Sequence, residues 1–118
     1  MSCLFDSLSK FVSINSHDLR QGICDFLDTN PKLLDDMSAS DVINFESNME
    51  LNRYVANMRQ YSTMGGATEI KAFCVMFKMN AKIQSIPNGK TIEFIINDTY
   101  PFVYLKWTGG HYDPIAGF

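Results

Sequence analysis

Residues 70–107, IKAFCVMFKMNAKIQSIPNGKTIEFIINDTYPFVYLKW, change apolar period partway along. Ile70, Phe73, Cys74 and Phe77 recur at i, i+3, i+4 and i+7, the spacing of a helix packed along one face. Beyond Phe77 the apolar residues fall into short runs at 83–86, 91–96 and 102–107, rich in β-branched and aromatic side chains. Pro87-Asn88-Gly89-Lys90 separates the first two runs and has hairpin-turn chemistry. The reading is a helix followed by three strands, antiparallel to one another. Residues 111–115, after Gly109-Gly110, supply a further short strand.

Upstream of this stretch the pattern is helical. Leu4, Phe5, Leu8, Phe11 and Val12 begin directly after Cys3, which places Cys3 at a helix N-terminus. Leu19, Ile23, Phe26 and Leu27 mark a second helix, with Ser16 as its N-cap and its end near Asn30-Pro31. Pro31 then opens a short turn of helix. Ser38 or Ser40 caps a third helix whose apolar positions, Val42, Phe45 and Met49, continue less regularly to Tyr54, Val55 and Met58, so a break is expected within it. Residues 61–67 form a polar loop containing Gly65-Gly66, where the backbone can pass close to another group. Helices first and strands last indicate an α+β fold, with N-terminal helices and a central helix on a small, mostly antiparallel sheet. At 118 residues and 46% hydrophobic composition the chain has material for one core, hence one domain over 1–118.

Composition excludes several functions. A formal charge of −3 with ten Lys and Arg and no basic run offers no footprint for nucleic acid. No apolar stretch approaches the roughly 20 residues that span a bilayer, and the N-terminus lacks the pattern of a secretory signal. A soluble, cytoplasmic protein is expected. Cys3, Cys24 and Cys74 are odd in number with no CxxC spacing, which supports neither a disulfide framework nor a zinc site. Neither metal nor cofactor is expected, and a monomer is the default.

Candidates for catalysis are few. His17 stands in the first turn of the second helix beside Asp18 and reads as a surface residue. His111 follows two glycines, with Asp113 two residues on, so that in an extended segment both side chains project to one side and the carboxylate can orient the imidazole. A thiol at a helix N-terminus, as expected of Cys3, is enriched in thiolate. Cys24 and Cys74 lie within amphipathic helices and read as small buried hydrophobes. Spacing alone leaves the same bland reading open for Cys3.

Four segments, however, stand together in order: Cys3-Leu4-Phe5, Leu19-Arg20, Met64-Gly65-Gly66-Ala67-Thr68-Glu69-Ile70 and His111-Tyr112-Asp113. They resemble the ovarian tumour (OTU) family of papain-like cysteine proteases, whose pattern runs D-G-x-C-L-F, then W-G-G-x-x-E-L, then H-Y-D. The resemblance covers nearly the whole chain, and the short length resembles compact viral members, for which the location would be the host cytoplasm. It implies a deubiquitinase that hydrolyses the bond after the C-terminal glycine of ubiquitin or a ubiquitin-like modifier. Cys3 would be nucleophile, His111 general base and Asp113 its orienting group. Gly65, Gly66 and Gly110 would let backbone line a narrow channel for the substrate's Gly-Gly tail. Trp107 or Tyr112 would wall it, although a strand aromatic is more often core. The acidic pI of about 5.2 suits a partner with a basic binding face.

Two departures stand against the pattern. Met1-Ser2 occupy the place of the residues before the family's cysteine, whose backbone amides help form the oxyanion hole. Either the α-amino group of Met1 substitutes electrostatically, or the loop belongs to a longer chain, or the domain is impaired and serves as a ubiquitin-binding module. Met64 replaces the family's Trp, which is expected to affect packing more than chemistry.

Overall fold

The computed structural model describes residues 3–34 and 36–117, so the α-amino group of Met1 lies outside the described residues. The elements are α1 (Cys3–Ser9), α2 (Ser16–Asp28), β1 (Lys32–Leu34), β2 (Met37–Ser38), α3 (Ala39–Ser47), α4 (Leu51–Met58), α5 (Ala67–Phe77), β3 (Asn80–Ser85), β4 (Thr91–Phe94), β5 (Phe102–Trp107) and β6 (Tyr112–Pro114). This is the expected α+β arrangement. The long helix of the period change, α5, packs against α2 and α3 on one side and against β3 and β4 on another. Ile70, Ala72, Phe73 and Cys74 are all buried there, as a central helix requires.

Local chemistry explains most boundaries. Asn15, rather than Ser16, caps α2: its side-chain oxygen accepts the Asp18 N–H at 2.8 Å while its amide donates to the Asp18 carboxylate at 2.9 Å. Asparagine is among the preferred N-cap residues, and the helix begins directly after it. Ser38 caps α3 through the Asp41 N–H. The expected break follows α3, where Asn48 turns left-handed at φ 52° and its N–H bonds the Asn44 carbonyl.

Pro31 does not open a helical turn. Asn30 ends the preceding segment in the left-handed region at φ 56°. Its side-chain oxygen takes the Ser40 N–H at 2.8 Å, and the Pro31 carbonyl takes the Ala39 N–H at 2.7 Å. Those two bonds commit residues 30–31 to the start of α3 and hold the next three residues extended as β1, paired antiparallel with β2.

The sheet has the order β4-β3-β5-β6. β3–β4 and β5–β6 pair antiparallel, but β3 and β5 run parallel, which corrects the expectation of three mutually antiparallel strands. The hairpin through Gly89 returns β4 to the start of β3, where Ala81 faces Phe94, and β5 also begins there, with Phe102 beside Asn80. Residues 95–101 therefore cross from one flank of β3 to the other, past its first residue. Asn80 organises that crossing. It is fully buried; its side-chain nitrogen donates to the carbonyls of Asn97 (2.8 Å) and Tyr100 (3.2 Å), and its oxygen accepts from the amides of Ile96 (2.8 Å) and Asn97 (3.2 Å). A polar residue ahead of the apolar run gives no hint of this role, and the strand accordingly starts three residues before Ile83.

Asn80→Ala should lower the unfolding free energy by about 2–4 kcal/mol, because several buried backbone groups lose their partner at once. Urea unfolding checks this; a loss under about 0.5 kcal/mol would show that the crossing holds without it.

Candidate functional site

The site begins at the first turn of α1. Cys3 is half-buried with a free thiol. Leu4, Phe5 and Leu8 turn into the core, and α1 packs on both α2 and β6. Ser7, 2% exposed, donates its hydroxyl to the Tyr112 carbonyl at 3.0 Å, tying the helix of Cys3 to the residue beside His111.

His111 sits at the end of a tight connection between β5 and β6. Gly109 takes φ +106°, and the Thr108 N–H closes the turn on the His111 carbonyl at 3.0 Å. The imidazole Nε2 lies 3.1 Å from Asp113 Oδ1, with the two side chains 55% and 44% exposed. This is the pairing anticipated for an i, i+2 couple on one side of an extended segment. With Nε2 carrying the proton donated to the carboxylate, Nδ1 is the nitrogen left to accept another.

Trp107 and Tyr112, paired across β5 and β6, are both half-buried, with ring centroids 6.5 Å apart. Together with Ala67, Ile70, Ile83 and Phe94 they line an apolar groove of about 200 Å³. They are thus part core and part groove wall. Burial pushes the Tyr112 hydroxyl above its ordinary pKa, and the neighbouring Cys3 and Glu69 push it the same way, so it faces them as a neutral phenol.

The glycine loop reaches the site from the other side. A Cβ on Gly65 would lie 2.7 Å from Leu4 Cδ2 and 3.0 Å from Phe5 Cε2, so its close approach is to the two residues after Cys3. Gly66 is the N-cap of α5, and its N–H donates to Glu69 Oε1 at 2.8 Å. The other Glu69 oxygen accepts the Tyr54 hydroxyl at 2.6 Å. Burial raises the Glu69 carboxyl above the ordinary carboxylate range, against the lowering pull of the Tyr54 and Gly66 bonds and the Arg20 charge. Gly110 is exposed, and a Cβ there would meet nothing within 4 Å. Met64 is also exposed, so its side chain contributes little to holding this loop.

Cys3, His111, Asp113 and both glycine pairs stand out in the sequence, whereas Ser7, Tyr54, Glu69 and Arg20 take roles here that the sequence leaves unassigned. Glu69 carried a signal, standing three residues after the cap, where a carboxylate reaches back to the cap N–H. Arg20 carried another: it takes the first position of the stripe Arg20, Ile23, Cys24, Leu27, a cation where an apolar residue is due. Cys24 and Cys74 are fully buried, and burial pushes their thiols up to about 11 and about 12, which suits inert core positions. His17 is exposed, as expected.

Gly65→Ala should cost about 1–3 kcal/mol, because Leu4 and Phe5 have no space to retreat into, whereas Gly110→Ala should change stability by less than about 0.5 kcal/mol; equal losses in thermal unfolding would contradict the close approach. Tyr54→Phe should cost about 2 kcal/mol at pH 8 and less at pH 5. A raised carboxyl pKa means that the folded state holds the Glu69 proton more tightly, so stability declines as pH rises from the unfolded value through the folded one. Losing the hydroxyl raises the folded value further and steepens that decline. A pH-independent loss would contradict a charged Glu69.

No family model and no curated protein matches the chain. Solved structures do. An OTU domain in complex with ubiquitin superposes with a TM-score of 0.78 at 20% identity, and the OTU domain of OTUD1 with 0.72 at 17%. The viral OTU domain protease from Dera Ghazi Khan virus gives 0.67 at 16%, and an OTU deubiquitinase from Wolbachia pipientis wMel gives 0.67 at 18%. Each match covers 96% of this chain, which spans 62% of the first structure and 77%, 72% and 80% of the others. At these identities the likeness is one of backbone architecture, and in that architecture the chain is an OTU-fold domain.

Proposed function

We propose that the domain is a cysteine-dependent deubiquitinase, cleaving the bond between the C-terminal glycine of ubiquitin, or of a ubiquitin-like modifier, and an amine. The observation that carries this is the hydrogen bond between His111, at the entrance to β6, and Asp113 within it, on a strand tied to the helix of Cys3 by the Ser7–Tyr112 bond. An OTU domain of the same architecture was solved with ubiquitin, which supports the choice of partner.

In this reading Cys3 Sγ attacks the glycine carbonyl while His111 Nδ1 takes the thiol proton. Collapse of the tetrahedral intermediate breaks the C–N bond, and the imidazolium returns its proton to the leaving lysine amine. The thioester that remains is hydrolysed by a water that His111 deprotonates, which releases the ubiquitin carboxylate and restores the thiol. Asp113 holds Nε2–H throughout, so that Nδ1 stays the basic nitrogen. The apolar groove beside Trp107 and Tyr112, with Gly65, Gly66 and Gly110, is the proposed surface for the modifier's tail.

Hydrolysis of a fluorogenic ubiquitin C-terminal amide tests this. Cys3→Ala should abolish turnover, His111→Ala should lower kcat by about 10²-fold or more, and Asp113→Ala by about 10-fold or more. Turnover that survives Cys3→Ala would overturn the assignment. Ubiquitin binding without any turnover by the wild type would instead identify an interaction module built on the same fold.

A further inference from the structure

One charged side chain lies in the buried stripe of α2. Arg20 is 2% exposed. Its guanidinium donates to the carbonyls of Met58 at 2.8 Å, Gln60 at 2.9 Å, Thr63 at 2.9 Å and Tyr61 at 3.2 Å. Its Cζ also lies 4.2 Å from the centroid of the Phe5 ring. Burying a cation is costly unless it is well hydrogen-bonded. Here those bonds go to the carbonyls of one segment, 58–63, which leads directly into Gly65-Gly66, and the cation rests on the ring two residues after Cys3.

Phe5 is therefore held from two directions in the chain. Arg20 contacts its ring from α2, and Gly65 approaches the same ring from the loop that Arg20 itself secures. The loop's far end is secured separately, by the Gly66–Glu69 bond. A seven-residue helix has little rigidity of its own, so its placement follows whatever fixes its buried face. We infer that Arg20 is the positioning residue of the site: through Phe5 and the 58–63 carbonyls it sets where the first turn of α1 lies, and so where the Cys3 thiol stands relative to His111. This rests on the reading of Cys3 and His111 as nucleophile and base. Lysine cannot replace it, because an ammonium offers three donors and no planar face, while the guanidinium spreads five donors across a plane that also stacks.

The test compares wild type, Arg20→Lys, Phe5→Leu and the double variant in two measurements. In hydrolysis of the fluorogenic ubiquitin amide, well below each variant's melting temperature, Arg20→Lys should lose about 10-fold or more in kcat with KM within about twofold. Phe5→Leu should lose activity in the same way, and the double variant should lose little more than the worse single, because both changes break one contact. In amide hydrogen exchange, Arg20→Lys should lose protection over 3–9 and 58–66 while β3 and β5 keep theirs. Unchanged kcat, additive losses, or protection falling evenly over the whole chain would overturn the proposal, the last by showing that Arg20 acts only through global stability. If the wild type turns over no ubiquitin, the reading of the site fails. Hydrogen exchange then decides alone: unaltered protection at 3–9 overturns the coupling of Arg20 to α1, and localised loss upholds it.

Discussion

A helix of seven residues cannot hold its own place in water, and everything proposed for this protein depends on where α1 lies. Its position comes from the burial of Leu4, Phe5 and Leu8 and from the hydroxyl of Ser7 on the backbone of β6. Two segments far apart in sequence meet on it: the glycine loop, which rests on Leu4 and Phe5, and β6, which directly follows His111. One small, well-packed joint thus links the helix that begins at Cys3, the strand that follows His111 and the loop leading into α5. Polar groups buried around that joint are satisfied by hydrogen bonds, at Glu69 from Tyr54 and Gly66 and at Arg20 to four carbonyls.

Much of this was legible in the residues. The change of period after Phe77 separates α5 from the sheet, and the i, i+2 placement of His111 and Asp113 anticipates their hydrogen bond. What was illegible depended on long-range partners. The parallel pairing of β3 and β5 is decided by the crossing at 95–101, whose anchor, Asn80, has no distinguishing local pattern. Pro31 is compatible with either a helix start or an extended segment, and bonds to Ala39 and Ser40 choose the second. Ser16 and Asn15 are both good caps by residue type, and the structure places Asn15 at the cap with two bonds to Asp18.

The departure at Met64 finds a physical account in the same joint. An exposed side chain there contributes little to fixing the glycine loop, and the anchors on either side of it, Arg20 at 58–63 and Glu69 at Gly66, do so from within the core. Exchange of a rigid aromatic for a thioether at this position therefore leaves the support of Leu4 and Phe5 in place. The partly exposed His111–Asp113 pair contrasts with these buried anchors. It sits at the short β5–β6 turn with the imidazole open to solvent, and the groove of Trp107 and Tyr112 offers apolar surface beside that turn.

The most direct measurement is intact-mass and peptide mapping of the protein after incubation with ubiquitin bearing a thiol-reactive group at its C-terminus. The account predicts a single ubiquitin adduct mapped to Cys3, formed more slowly in His111→Ala and absent in Cys3→Ala. An adduct on Cys24 or Cys74, or none at all on a wild-type protein shown to be folded, would contradict it.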